Sequence, residues 1–463
     1  MMSRINAALA KIPRQTVIRL GWATGSFGLI QVFRLLNNVV LARLLSPPLF
    51  GLMLIVNSIR TGVELLSDVG INQNIVSNRQ GDKPEFYDTA WTIKVIRGLA
   101  LGAICFLLAN AFARFFEKPE LAIILPVIAL TFVFLGFQSA SASLLQKQRS
   151  VARNSILDLS VAAISLALHV ALALITPTIW ALVLGSVMTS AAALIASYLV
   201  IPGRRHRFII DRVAAKEIMT FGKWIFISSI IYFAAVNFDR LYLAKQISLT
   251  MLGIYSIARS MADMMNMLVV RVSYMVLFPT VAAMDVTAQE LRAKLIHARR
   301  IMLCFVAVGL ACFVAVSDIV VQLLYDVRYE TAGAILPIML LGVWVSILSV
   351  VNDSVLLGTG KPAYTTMANA AKLATFVIGV PLGFHFGGVL GAVVVLNAGE
   401  VMRYIVLWAF SRKQHLGFGR EDLGLTALFL VSVLVAREAL SAIDLSGDVF
   451  SLFPFLESSW WVR

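Results

Sequence analysis

The chain is poor in the residues that build soluble surfaces and catalytic centres. Only 14% of its 463 residues are charged, and it contains five histidines and three cysteines. The cysteines, Cys105, Cys304 and Cys312, fall inside apolar stretches, and their spacing fits neither a metal site nor a disulfide framework. A phosphate-cradling glycine loop and a dinucleotide fingerprint are also missing. We therefore expect no metal, no resident cofactor, no ATP-driven step and no enzymatic activity.

Long polar loops are scarce as well. The longest predicted loop, near residues 201–220, is basic, and no soluble domain is attached to it. A membrane glycosyltransferase, polymerase or ligase that acts at the outer surface needs more polar chain than this.

Apolar stretches are what the sequence has in abundance. Hydrophobic residues make up 59% of the chain, and the mean hydropathy is +0.86. Runs of about 18 to 25 apolar residues can cross a hydrocarbon core of about 30 Å, and inside lipid such segments must be helical. The sequence thus predicts an all-α polytopic membrane protein. Its predicted spans are 17–42, 48–76, 90–113, 121–145, 154–175, 178–201, 221–244, 250–282, 299–324, 331–357, 364–386 and 388–410, with weaker stretches at 423–442 and 448–461.

The net charge of +14 does not form one soluble basic patch, so we expect no nucleic-acid partner. Lys and Arg concentrate at the amino end and in alternate loops, whereas the intervening loops carry few, among them Arg328 and Arg437. The positive-inside rule then places the amino terminus and the basic loops in the cytoplasm. The amino end lacks the pattern of a cleavable signal peptide. Residues 5–20 form either a basic amphipathic helix on the membrane surface or a solvated tail.

A weak internal repeat divides the chain. LNNVVLARLLSPPLFG returns as FDRLYLAKQISLTMLG about 202 residues later, so that Asn37 aligns with Asp239 and Gly51 with Gly253. Each half holds about six spans, so the halves are parallel repeats, as in many transporters. The predicted segments are a basic amino-terminal segment (1–16), two six-helix bundles (17–201 and 221–410), a basic linker (202–220) and one or two further helices (411–463).

Ionised residues recur inside the predicted spans. Each costs about 2.5 kcal/mol or more at the bilayer centre, so it faces a partner or a wet cavity. Arginine grips phosphate oxygens in a bidentate manner, which favours an anionic substrate. The candidates for a substrate phosphate are Arg34, Arg60, Arg259, Arg271 and Arg240. The candidates for tuning the charge or for coupling to H+ or Na+ are Glu64, Asp263, Asp68 and Asp239. Lesser candidates are Asp158, His169, Asp353, Glu400 and Arg403.

Structural roles for the same residues stay open. Arg60 with Glu64, and Arg259 with Asp263, could be internal helix pairs that only neutralise each other. Asp239 and Arg240 could cap a helix end, and Arg271 could snorkel to a membrane face.

Several runs resemble a known family. LLNNVVLARLLSPPLFGLMLI, LLSDVGINQNIV, NFDRLYLAKQISLTMLGIYSIARSMADM, VLFPTVAAM and LLYDVRYETAGAILPIMLL are similar to segments of the polysaccharide-biosynthesis membrane proteins. These are the O-antigen and exopolysaccharide (Wzx-like) flippases of the multidrug/oligosaccharidyl-lipid/polysaccharide (MOP) exporter superfamily. The resemblance covers about residues 17–410.

The resemblance implies two six-helix bundles around a V-shaped cavity, as in MATE and other MOP transporters. It also implies alternating-access translocation of undecaprenyl-diphosphate-linked oligosaccharide across the bacterial inner membrane, among membrane lipids and alongside a polysaccharide polymerase and a chain-length regulator. The alternatives are a multidrug efflux antiporter, a lipid II flippase, and a non-transporting component of a polysaccharide synthase complex.

Overall fold

The computed structural model describes residues 14–65, 67, 70–78, 80–147, 151–199, 206–273, 277, 281, 284, 286–442 and 452. Every regular element among these residues is a helix. The chain divides into two compact units, residues 1–45 with 56–230, and residues 46–55 with 231–463. Each unit therefore consists of two separate segments of the chain, and two of the boundaries between segments fall inside helices.

Eight of the described α-helices precede the central linker, residues 202–220. They are α1 (Arg14–Leu44), α2 (Pro47–Leu65), α3 (Ile71–Ser77), α4 (Pro84–Phe116), α5 (Leu121–Phe137), α6 (Ser141–Lys147), α7 (Val151–Ile175) and α8 (Ile179–Leu199). In unit 1, α1 packs on α7, and α5 packs on both α4 and α8. Gly98 and Gly136 let α4 and α5 touch backbone to backbone, since a Cβ atom on Gly98 would lie 2.7 Å from the Cα of Gly136.

Seven described α-helices begin within or after the linker. They are α9 (Arg212–Gln246), α10 (Leu249–Val272), α11 (Ala288–Ala315), α12 (Ser317–Leu324), α13 (Glu330–Gly358), α14 (Pro362–Lys413) and α15 (Gly419–Ser441). In unit 2, α13 lies at the centre and packs on α10, α11, α12 and α14, while α15 packs on α11. Most residues of α13 are buried, which fits a helix that is apolar on all sides.

Helix α14 contains two of the predicted spans. Its 52 residues would extend about 78 Å at 1.5 Å per residue, more than twice the hydrocarbon core. Gly387 and Gly388 break it, and Gly388 has φ +55°, a conformation that glycine adopts without strain. The break lies at the predicted boundary between spans 364–386 and 388–410, and the chain folds back there so that Gly383 approaches Gly391.

By length and composition, nine described helices can cross a membrane, or ten when α5 and α6, bent by 51°, count as one span. Helices α9 and α10 are outside those nine, although 35 and 24 residues are long enough to cross. Both carry the charged side chains described below, which reduce their hydropathy.

Several predicted spans differ from the structure in their extent; 121–145 comprises α5 and α6, for example, and 299–324 comprises the end of α11 and α12. The span 48–76 comprises α2, which ends at Leu65, and the short α3. Helix α10 covers the span 250–282 as far as Val272, and the residues described beyond it within the span, Ser273, Leu277 and Val281, are also helical. Apart from Leu452, the predicted stretch 448–461 lies outside the described residues, as do residues 1–13 of the amino-terminal segment.

Candidate functional site

A buried carboxylate on α9 lies at the centre of the candidate site. The side chain of Asp239 is 1% exposed. The Tyr255 hydroxyl donates a hydrogen bond to its Oδ2, and the Arg259 Nη1 atom lies 3.5 Å from the same oxygen. Tyr255 and Arg259 are four residues apart on α10, so both reach Asp239 from one helix face. These contacts offset the cost of burying the charge.

Arg259 also contacts a second carboxylate, that of Asp263. The Arg259 Nε atom lies 3.2 Å from Asp263 Oδ1, one helical turn further along α10. This contact is an ion pair without hydrogen-bond alignment. Arg240 on α9 donates from Nη2 to Asp263 Oδ2 at 2.5 Å. The order Asp239, Arg259, Asp263, Arg240 therefore alternates in sign.

Two further ion pairs join α13 and the two arms of α14. Lys372 Nζ lies 2.5 Å from Glu400 Oε1, and Arg403 Nη2 lies 3.3 Å from Asp353 Oδ2. Thr365 also donates a hydrogen bond to Asp353, at 2.5 Å. Lys372 lies in the arm before the Gly387–Gly388 break and Glu400 in the arm after it. Arg403 also lies in the arm after the break, and its partner Asp353 lies on α13. The pairs therefore depend on how α14 folds back.

A small cavity lies between Arg259 and Asp263 of α10 and Glu400 of α14. Its volume is about 40 Å³, enough for a few water molecules. Its polar lining comes from α10, α13 and α14: Arg259, Asp263, Asn266, Ser346, Asn397 and Glu400. We call the eight ionisable residues of the ion pairs described above the unit-2 cluster: Asp239, Arg240, Arg259, Asp263, Asp353, Lys372, Glu400 and Arg403.

The unit-2 cluster is formally neutral, with four cations and four carboxylates, and each cation has a carboxylate partner. An entering anion must therefore compete with a carboxylate for its arginine. Protonation of a carboxylate would release the arginine that it holds. The arrangement can couple anion binding to cation or proton binding, because both act on the same ion pairs.

The candidate residues of unit 1 are arranged differently. In the part of the chain that the structure describes, Arg60 and Glu64 form no ion pair with each other, and Arg60 Nε is buried without a hydrogen-bond partner. Arg97 instead donates to the Glu64 carbonyl oxygen at 2.6 Å and to Ser67 Oγ at 3.0 Å. Arg259 and Asp263 are therefore in contact within one helix, each with a further ionic partner, whereas Arg60 and Glu64 are not paired in the described structure.

Three of the predicted residues remain to be placed. Arg34 and Arg271 are exposed, and Asp68 lies outside the described residues. The deep burial of Asp239 fits a place in the charge cluster better than a capping role at a helix end.

Sequence reasoning missed Lys372 and Arg97. Both lie within predicted spans and occur without an acidic neighbour at helical spacing. For Lys372 a signal did exist, because Lys372 and Glu400 lie at similar distances on either side of the Gly387–Gly388 break. An antiparallel pair of arms brings such positions together.

Comparisons with known proteins agree with this architecture. A family model described as polysaccharide biosynthesis protein matches residues 40–334, more than half of the chain. The chain belongs to this family of polysaccharide biosynthesis proteins. Its family membership confirms the resemblance seen in the sequence.

Two curated relatives extend the comparison. The chain is 23% identical over 412 residues to the lipopolysaccharide biosynthesis protein WzxC of Escherichia coli (strain K12), covering 87% of this chain and 82% of that protein. It is 25% identical over 278 residues to the succinoglycan biosynthesis transport protein ExoT of Rhizobium meliloti (strain 1021), covering 58% and 54%.

Solved structures show the fold. The lipid II flippase MurJ in its inward closed conformation has a TM-score of 0.75 at 13% identity, covering 93% of this chain and 95% of that one. An inward-facing MATE multidrug transporter of the MOP superfamily has a TM-score of 0.59 at 14% identity, covering 86% and 95%. The predicted fold class, an all-α membrane protein of the MOP type, is confirmed. This family member is thus an all-α multi-pass membrane protein with the fold of these transporters.

Proposed function

We propose that this protein is a flippase for undecaprenyl-diphosphate-linked oligosaccharide, working by alternating access in the bacterial inner membrane. The names of its relatives, which concern lipopolysaccharide and succinoglycan, support a substrate destined for a surface polysaccharide. The distribution of Lys and Arg supports a cytoplasmic amino terminus and transport toward the periplasmic leaflet. A polysaccharide polymerase and a chain-length regulator are the partners expected downstream.

The position of Arg259 between two carboxylates is the observation that carries the proposal. Asp239 is buried, whereas Asp263 is 31% exposed and lines the cavity. Arg259 can therefore keep Asp239 while it exchanges Asp263 for a substrate phosphate oxygen. A guanidinium stays charged throughout such an exchange and binds phosphate with paired N–H donors.

Arg60 is the second arginine proposed to bind the diphosphate. Its buried Nε donor has no hydrogen-bond partner among the described residues, so an anion would meet an unfilled donor there. A buried donor without a partner costs about 1–3 kcal/mol, and an incoming phosphate would recover that energy. Arg34, Arg271 and Arg240 are proposed to assist, the first two from exposed positions.

Asp263 is the first candidate for the coupling residue. Glu64, Asp68 and Asp239 are the further candidates. When a phosphate takes Arg259 away from Asp263, this carboxylate loses one of its two cationic partners, and H+ or Na+ can take that place. The cation and the substrate would thus favour each other's binding, as linkage requires.

Complementation of a strain that lacks the gene tests the proposal. Arg259→Ala and Arg60→Ala should each abolish surface polysaccharide, while the protein remains in the membrane at normal abundance. Arg114→Ala is the matched control, because Arg114 is exposed at the end of α4 and lies outside the candidate site. Normal amounts of surface polysaccharide in both the Arg60→Ala and the Arg259→Ala strain would contradict the proposed function.

The same strain separates the alternatives. A multidrug antiporter predicts a changed drug-susceptibility profile with intact polysaccharide, and a lipid II flippase predicts that loss of the gene is lethal. A non-transporting component should tolerate neutral replacement of Arg259. The unit-2 cluster is formally neutral, so it lacks the excess of acidic residues that a site for cationic drugs would normally have.

A further inference from the structure

A groove in unit 2 lies apart from the unit-2 cluster. Its volume is about 850 Å³, within the range of small-molecule sites in proteins. Helices α11, α13, α14 and α15 and the turn between α14 and α15 form its walls. The lining residues that matter here are Arg292, Tyr404, Trp408, Arg412, Arg420 and Leu423.

The acidic residues of the groove are already neutralised. Arg292 donates to Glu421 at 2.7 Å and to the Gly417 carbonyl oxygen at 2.8 Å. The buried Asp422 pairs with Arg299, which is also buried, at 2.6 Å. Each carboxylate of the groove is thus paired with an arginine, and the second oxygen of Glu421 is buried.

Arg412 and Arg420 supply uncompensated positive charge. Both are exposed and line the groove, and within the described ranges neither forms an ion pair. The Arg412 guanidinium lies 5.7 Å from the Trp408 ring centroid, so its stem and the indole share one wall. Two unpaired guanidinium groups at one rim form an anion-attracting site.

The rest of the wall is apolar and open on one side. Leu423 is 74% exposed, Val401 is exposed, and Val345 and Leu348 continue the apolar surface inward. Gly419 allows the Trp408 indole to lie against the start of α15, since a Cβ atom there would overlap the indole nitrogen. The groove therefore joins a basic rim to an apolar surface.

We propose that this groove binds an acidic phospholipid, with its phosphate at Arg412 and Arg420 and the first part of an acyl chain along Trp408 and Leu423. The rim belongs to the basic segments that the positive-inside rule assigns to the cytoplasmic side, where anionic head groups attract arginine. A free phosphate would leave the apolar wall unused. A zwitterionic head group would bring its own cation to a rim that is already positive.

Native mass spectrometry of the purified full-length protein tests the site with phosphatidylglycerol as the probe. The double variant Arg412→Ala/Arg420→Ala should bind it about tenfold more weakly than the wild type, a loss of about 1.4 kcal/mol. The control, Lys413→Ala/Arg300→Ala, removes the same charge from exposed positions outside the groove and should bind like the wild type. The variant Arg412→Lys/Arg420→Lys should keep most of the binding and shows that loss of fold is not the cause.

Three results would overturn the proposal. Equal loss in the control variant would mean that general surface charge binds the lipid. Equal binding of phosphatidylcholine would mean that the rim does not select an anion. Displacement of the lipid by inorganic phosphate at the same concentration would mean that the site takes the free anion and not the lipid.

Discussion

Gly51 and Gly253, which occupy equivalent positions in the two sequence repeats, contact each other backbone to backbone in unit 2. A Cβ atom on Gly51 would lie 3.1 Å from the Gly253 backbone nitrogen and would overlap the carbonyl oxygen of Leu249. A Cβ atom on Gly253 would likewise overlap the carbonyl oxygen of Pro47. The start of α2 and the start of α10 can approach this closely only because neither position has a side chain.

Alanine at either glycine should therefore destabilise the protein. Overpacking a close contact typically costs about 1–3 kcal/mol, so Gly253→Ala should lower the melting temperature in detergent. Gly309→Ala is the control, because nothing lies within 4 Å of a Cβ atom there and alanine favours the helix. Equal melting temperatures of Gly253→Ala and the wild type would show that the helices separate without cost.

Arg437 and Asp318 form a bidentate pair that should contribute strongly to stability. The two Nη atoms lie 3.0 and 2.7 Å from the two carboxylate oxygens, and Nη1 also donates to the Ala315 carbonyl oxygen. Arg437→Ala leaves Asp318 without this partner, and removing one member of a buried pair typically costs about 3–5 kcal/mol. Chemical unfolding in detergent measures the loss.

The double variant Arg437→Met/Asp318→Leu separates charge from packing. It removes both ions at similar volume and should recover much of the lost stability. A double variant no more stable than Arg437→Ala would assign the effect to lost packing around the arginine.

His206, in the segment before α9, should stay neutral at pH values well below those at which a histidine ordinarily takes up a proton. Its ring stacks on Trp91 with centroids 4.8 Å apart and on Tyr87 at 5.1 Å. Burial, with a smaller effect of the positive charge on Lys94, lowers the pKa of His206 from 6.5 to about 4. Because the folded pKa lies below the unfolded one, this contact is fully stable above about pH 6.5 and weakens as the pH falls toward 4.

An NMR titration of the histidine side chains checks this value, with His206→Gln to assign the signal. We expect a transition near pH 4. A His206 signal that titrates near its ordinary pKa of 6.5 would contradict the stacked, buried geometry.

Lys372 and Glu400 should act as a pair in transport. Lys372→Glu places two carboxylates together and Glu400→Lys two ammonium groups, so each single reversal should abolish complementation. The double reversal Lys372→Glu/Glu400→Lys restores opposite charges at 2.5 Å and should recover part of the polysaccharide. Failure of the double variant, with normal membrane abundance, would show that the signs of the two positions matter individually.

The sequence predicted the membrane class and most spans because hydropathy reports directly on lipid burial. It did not predict the pairing within the site, because ion pairs between helices depend on which helix faces are turned toward each other. Arg259 with Asp263 could be found from their spacing on one helix. The pair of Arg240 with Asp263 depends on the contact between α9 and α10, and the pair of Lys372 with Glu400 depends on the break in α14. The sequence alone shows neither.

Arg437 is another residue whose ion-pair partner could not be predicted from the sequence. In the sequence it stands near the end of a weak apolar stretch and counts among the few basic residues of the intervening loops. In the structure it lies within α15 and is buried against α12, because Asp318, more than a hundred residues away, provides both oxygens. Local hydropathy contains no information about that partner.

Reconstituted transport is the sharpest test of the proposed function. Proteoliposomes loaded with labelled undecaprenyl-diphosphate-linked oligosaccharide would be assayed for its appearance in the opposite leaflet. We predict rapid transfer by the wild type and by Arg114→Ala, and transfer at the rate of protein-free vesicles by Arg259→Ala. Transfer by Arg259→Ala at the wild-type rate would contradict the proposal.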